Sequence, residues 1–254
     1  MTAELNALVA KSDAARRCLE AVTHGVFIDP AGGRDALGDV RLHPEQIALL
    51  AYLSTRLESS ILIDVGFGMG SSITIALAAR RAAGLPTTHF ALDPYGLPFG
   101  AGGIVEAYLQ REFKQSYLRI RKRSEIGLGQ LYEILGPESV GMVFIDGNHR
   151  FDNVLTDFFL SDLLCKPGGV ILLDDACYPA IETVVSFIAA NRPDYEVWRD
   201  VAPSTALLRK TDVPAPPWDW FRPFAVSQRT DWNAGGAQGD ATRAGEGVGP
   251  PNRA

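Results

Sequence analysis

The chain predicts an α/β protein: a doubly wound, mostly parallel seven-stranded sheet with an antiparallel last strand. Three observations carry this reading. From Ile61 onwards, short strand-like runs alternate with helical patterns, which a parallel sheet covered on both faces requires. The first of those runs, "ILID", is apolar and β-branched and ends in an acid, with glycines following at every second position before a helix begins. The last two runs, "YEVWRD" and "TALLRKT", have no long helix between them and so pair antiparallel.

Taken in order, residues from about 1 to 24 read as one amphipathic helix and "VFIDPAGGRDALGDVR" as a loop marked by its glycines and Pro30. "HPEQIALLAYLSTRLES" reads as a helix, with Pro44 in its first turn and Ile47, Leu50, Leu53 and Leu57 at helical spacing. The strand–helix pairs then follow: "ILIDVGF" with "SSITIALAARRAA", "THFALDPY" with "IVEAYLQREF", and "YLRIRKR" with "SEIGLGQLYEIL". "SVGMVFIDG" with "FDNVLTDFFLSDLLC" and "GGVILLDDA" with "AIETVVSFIAANR" complete them. This divides the chain into a helical segment over 1–58 that packs on the core, a domain over 59–212, and a tail over 213–254. The tail is rich in proline and tryptophan, then in glycine, and its later part reads as disordered; three of the four tryptophans lie in it, so its first part is a candidate to dock on the domain or a partner.

The bulk numbers are those of an ordinary globular protein, with 46% hydrophobic and 21% charged residues in 254. A net charge of −6 argues against nucleic acid as a partner. Cys18, Cys165 and Cys177 are odd in number and lack metal-ligand spacing, as reduced thiols of a cytoplasmic protein would. No apolar run approaches the roughly 18 residues of a membrane span, and the N-terminus lacks the apolar core of a signal peptide.

The turn "DVGFGMG" lies where open parallel sheets bind ligands, outside the carboxyl ends of the strands. Gly66 permits the tight turn, Gly68 lets a ligand approach the backbone, and Gly70 lets the helix start close to the strand. The helix N-terminus, opening at Ser71, offers free N–H groups. Dinucleotide folds use G-x-G-x-x-G; here the spacing is G-x-G-x-G, and Asp64 two residues upstream suits a ligand that presents an ammonium.

These residues resemble the first motif of the class I S-adenosylmethionine-dependent methyltransferases, in which the turn holds the methionine part of the cofactor. "ALDPY" resembles their second motif, and the resemblance implies that Asp93 grips the ribose hydroxyls. Their third position, which contacts adenine, falls on "KRSE"; Ser124 fits, while Arg123 replaces the usual acid. The basic run Arg119, Arg121, Lys122 and Arg123 reads as the solvated face of an edge strand, with an acidic-substrate patch as the minority reading.

Two further stretches put carboxylates at strand ends: Asp146, with His149 three residues on, and the pair Asp174–Asp175. If those strands are neighbours, as the resemblance implies, three like charges converge and call for a cation or protons. Hard oxygen ligands suit Mg²⁺ or a similar ion; the alternative is that Asp146 forms a turn and the pair caps a helix. The pattern "IDGNH…LLCKPGGVILLDDA" resembles the metal-dependent macrocin O-methyltransferase-like enzymes. That resemblance implies a metal on Asp146, Asp174 and Asp175 and a general base at His149. Some relatives carry a basic-role acid where Asn148 stands, and Asn cannot serve so.

The implied activity is methyl transfer to a hydroxyl of a small-molecule acceptor such as a sugar or natural product. The permissive loop "GLPFGAGG" could close over the ligands, and Tyr95 could stack on one. Metal-free N- or C-methylation, a nicotinamide oxidoreductase and a non-catalytic binding protein are the competing readings. The N-terminal helices and the tail offer surfaces for a homo-oligomer.

Overall fold

The computed structural model describes residues 2–94 and 103–226. The segment expected to be one N-terminal helix is two, α1 (Thr2–Lys11) and α2 (Asp13–His24), because the Ser12 side chain accepts the Ala15 N–H and caps a new start. The expected loop after it holds a small antiparallel hairpin, β1 (Val26–Ile28) and β2 (Arg34–Ala36), whose strands are too short to show a period. A 3₁₀ turn over Gly38–Val40 leads to α3 (Pro44–Arg56).

The repeating part follows as β3 (Ile61–Val65), α4 (Ser71–Ala82), β4 (Thr88–Leu92), α5 (Gly103–Glu112), β5 (Tyr117–Ile120) and α6 (Ser124–Leu135). It continues through β6 (Val140–Ile145), α7 (Phe151–Leu164), β7 (Cys165–Leu173), α8 (Pro179–Asn191), β8 (Tyr195–Ala202) and β9 (Thr205–Lys210). The seven-stranded sheet runs β5-β4-β3-β6-β7-β9-β8. It is parallel except for β9, which wedges between β7 and β8 and pairs antiparallel with both.

Each strand divides its side chains between two cores. Leu62, Met142, Phe144 and Leu172 face α1 to α5. Ile63, Val143, Ile145 and Ile171 face α6 to α8. All eight are fully buried, and each such side chain is worth about 1.5–3 kcal/mol relative to exposure. That double burial is why the strands read as unbroken apolar runs.

The chain builds outward from β3 to β5, then returns to lay β6 on the other flank of β3. The reversal opens a crevice at the carboxyl ends of β3 and β6. The hairpin supports this end from afar: Asp35 accepts the N–H groups of Ile104 and Val105 at 2.8 and 3.1 Å, and so caps α5 across about 70 residues of chain.

Beyond the sheet, the tail's first part lies on α8. Asn191 accepts the Arg222 N–H at 2.6 Å and donates to its carbonyl at 3.0 Å, and the Phe224 ring meets Phe187 edge-on at 5.8 Å. Residues 227–254, with Trp232, lie outside the described residues, as do Tyr95 and residues 96–102 of the loop expected to close. The cysteines are free, and burial pushes the thiols of Cys18 and Cys165 up to about 12. Among the described residues no helix is long and apolar enough to cross a membrane.

Candidate active site

Four residues stand one position past the ends of adjacent strands and are joined in a single row of backbone hydrogen bonds. Asp93 N–H donates to the Ile120 carbonyl, Gly66 to Leu92, Asp146 to Val65, and Asp174 to Ile145, at 2.8–3.1 Å. Strand spacing of about 4.8 Å then sets these positions side by side across the sheet edge. A cavity of about 650 Å³ opens above the row, a volume that suits a cofactor and a small acceptor. Gly66, Gly68, Asp93, Ser124, Asp146, Asn148, His149, Asp174 and Asp175 all line it.

Bare backbone in the turn has three separate causes. At Gly66, φ is +92° and an added Cβ would sit 2.0 Å from the Asp146 carbonyl oxygen. At Gly70 it would meet the Phe67 ring at 2.9 Å. At Gly68 the nearest atom is Val40 Cβ, 3.9 Å away, so here the space is open and faces the cavity. The helix behind it, α4, starts from Gly70 without a side-chain cap.

At the acidic end, ligand atoms of Asp146, His149 and Asp175 lie within 4.8 Å of one another. His149 Nε2 is 3.2 Å from Asp175 Oδ2, and its ring stacks on Tyr178 at 5.2 Å. Asp175 holds a left-handed φ of 52°, an uncommon conformation outside glycine that aims the side chain. Burial and the facing Asp174 and Asp175 charges raise the Asp146 carboxyl well above its usual range. Burial likewise raises Asp175, against the pull of His149 and His43. Asp174 is pushed up to about 7 by burial and by Asp175, although Gln46, Thr205 and the Asp175 N–H stabilise its charge.

Residues 63–176 match a family profile described as a methyltransferase domain. Over these residues the chain carries a methyltransferase domain. Three solved structures resemble it in fold. A Corynebacterium glutamicum protein is 17% identical over 78% of this chain and 89% of its own, with a TM-score of 0.53. The O-methyltransferase TomG from Streptomyces achromogenes, involved in tomaymycin synthesis and solved with S-adenosylmethionine, is 17% identical over 78% and 90%, with a TM-score of 0.53. The Podospora anserina methyltransferase PaMTH1, bound to S-adenosylhomocysteine, is 15% identical over 79% and 88%, with a TM-score of 0.57. No curated protein matches the chain in sequence.

The methyltransferase domain does not bring every expected site residue to the cavity. Asp64 is 1% exposed, and its two oxygens are engaged by Ser72 Oγ at 2.5 Å and His89 Nε2 at 2.8 Å. It braces the turn from behind: the acid points into the α4 side of the sheet and stands off the cavity in which the contact with a ligand's ammonium is expected. Gly70 and Ser71 also stand off the cavity. The Phe67 ring fills the space at Gly70, and Ser71 is buried with its carbonyl receiving the Cys18 thiol.

Asp174 differs too. Its Oδ1 accepts Gln46 Nε2 at 2.6 Å and the Asp175 N–H at 2.8 Å, so the close triad contains His149 in its place. The basic run divides: Arg121 and Arg123 are exposed, whereas the Arg119 side chain is 4% exposed and turned inward.

Residues that the linear pattern did not single out complete the methyltransferase site. Gln46 reaches from α3 to bridge Asp174 and Thr205, and its own Oε1 accepts the His43 N–H. Asp157 lies buried on α7 behind Ser124 and Glu125, where the Ser124 hydroxyl is the group that favours its charge. Burial pushes its carboxyl up to about 6. The folded protein therefore holds this proton longer than the unfolded chain, and stability falls as pH rises from about 4 to about 6. Asp157→Asn is expected to remove up to about 3 kcal/mol of that fall. Melting temperature against pH reads it, and equal slopes in parent and variant would refute it.

Proposed function

We propose that the enzyme transfers the methyl group of S-adenosylmethionine to a hydroxyl of a small molecule, with help from a divalent ion. The observation that carries this reading is the shared cavity: the open wall at Gly68 and the ribose-side Asp93 lie at one end, and Asp146, His149 and Asp175 at the other. The names of TomG, an O-methyltransferase, and of the cofactor-bound PaMTH1 support the same chemistry. A sugar or natural-product hydroxyl, as in the macrocin-like enzymes, is the acceptor class we favour.

The bound cofactor supplies an already activated methyl group, so the protein's work is alignment and proton removal. Gly66 and Gly68 leave backbone for the methionine end, and Asp93 accepts from the ribose diol. Asp146 and Asp175, with His149 or Asp174 beside them, form an oxygen-rich donor set that fits Mg²⁺. Such an ion, when bound, lowers the pKa of a nearby alcohol. His149 takes the acceptor's proton on Nδ1, while its Nε2, 3.2 Å from the Asp175 carboxylate, donates there, so that Asp175 orients the ring and stabilises the resulting imidazolium. Tyr178 stacks on the same ring and limits its rotation.

The test is a screen of hydroxylated small molecules for S-adenosylhomocysteine release, with and without Mg²⁺. Product formation that is lost on chelation supports the proposal; activity that survives chelation points to metal-free transfer. His149→Ala is expected to lower turnover roughly 10²–10⁴-fold while ion affinity changes only a few-fold. A parallel loss of ion affinity would instead make His149 a ligand, and a few-fold loss of turnover would leave it without a chemical role.

A further inference from the structure

The feature that the proposed chemistry leaves unused is a buried arginine on an edge strand. Arg119 lies on β5, and its in-register neighbour on β4 is Ala91, two residues before Asp93. The small alanine leaves room for the guanidinium to run along the sheet toward the strand ends. There it meets two carboxylates: Glu106 Oε2 of α5 at 3.0 Å and Asp93 Oδ2 at 3.7 Å. It also lies over the Phe67 ring at 4.2 Å. Phe67 sits between the first two glycines of the turn, and its N–H donates to the same Asp93 Oδ2 at 3.2 Å.

The Phe67 N–H holds the Asp93 carboxylate by Oδ2, and the guanidinium approaches the same oxygen. A buried guanidinium needs paired carboxylates, and Glu106 alone would satisfy that need; the approach to Asp93 is the informative one. Glu106 belongs to the first turn of α5, the helix start that Asp35 holds through two N–H groups. The hairpin, α5, β5 and the cofactor side of the cavity thus form one connected chain of contacts.

We infer that Arg119 is a positioning residue for the cofactor's ribose, acting through the Asp93 carboxylate and the Phe67 backbone. This rests on the reading that Asp93 accepts from the ribose diol. A guanidinium suits the task because its planar fork can serve two carboxylates at once, whereas an ammonium is a single point charge.

The experiment is calorimetric titration of the full chain with S-adenosylhomocysteine, using the parent, Arg119→Met, Asp93→Asn and the double variant. Arg119→Met is expected to weaken binding about tenfold, within the span of coupling energies between touching residues. In the Asp93→Asn background the same change should have less than about a twofold further effect. That non-additivity is the readout a merely structural role would not move. An equal loss in both backgrounds would overturn the inference, because Arg119 would then act on the fold and not through Asp93. Parental affinity in Arg119→Met, alongside a loss in Asp93→Asn, would overturn it while leaving the ribose reading intact. Parental affinity in Asp93→Asn would overturn the ribose reading itself. Should Arg119→Met fail to fold, Arg119→Lys keeps the charge without the fork. A loss of about threefold or more, absent in the Asp93→Asn background, is then expected, and parental affinity would refute the role.

Discussion

Asp146→Asn is expected to abolish divalent-ion binding and to lower turnover by at least about 10²-fold, while S-adenosylhomocysteine still binds within a few-fold of the parent. The reasoning is electrostatic. Asp146 is raised well above its usual range by its burial and then by the facing Asp174 and Asp175 charges. A cation placed there relieves three carboxylates together. Asn keeps the size of the side chain and its turn-forming backbone, so the cofactor end should survive. Calorimetry with Mg²⁺ and with S-adenosylhomocysteine on the same preparation separates the two effects. Ion binding that persists in the variant would remove Asp146 from the site.

Gly66→Ala should be the most damaging glycine-to-alanine change among the described residues. The new Cβ would lie 2.0 Å from the Asp146 carbonyl oxygen, and the φ of +92° is one that alanine resists. Backbone strain and overpacking together suggest a loss of about 3–5 kcal/mol. In a chain of this length that is roughly 10 °C or more of melting temperature. Gly68→Ala provides the contrast: its nearest neighbour is 3.9 Å away, so only the left-handed φ of +48° opposes it, at a cost of about 1–2 kcal/mol, and it should fold with a smaller loss of stability and lose cofactor affinity. A Gly66→Ala protein that melts with the parent would mean that the turn relaxes away from β6.

The sheet was legible because double burial writes strands as apolar runs, and Asp93, Asp146 and Asp174 were legible because each ends such a run. Arg119 was not. In "YLRIRK" the alternation offers two faces, and a sequence alone assigns the apolar one inward. Here Leu118 is exposed and the Arg119 side chain is turned inward, because α5 supplies a carboxylate on the inner face. Gln46 was hidden for another reason: its partner Asp174 is 128 residues away, and no local pattern spans that gap. The direction of Asp64 failed on strand parity. It shares a face with Leu62 and points under α4, where Ser72 and His89 receive it.

That last pair has a consequence for how the strands find their alignment. His89 stands in register with Leu62, and Asp64 with Ala91, so the contact between them runs diagonally across β3 and β4. Side chains on a strand alternate with a period of two. A slip of β4 by one residue would send His89 to the opposite core and leave the buried Asp64 without its imidazole. Aliphatic neighbours would tolerate such a slip far better, since Leu, Ile and Phe interchange on either face. A single polar contact inside an otherwise greasy ladder therefore penalises the wrong pairing, and with it any arrangement in which Asp93 and Gly66 fail to meet.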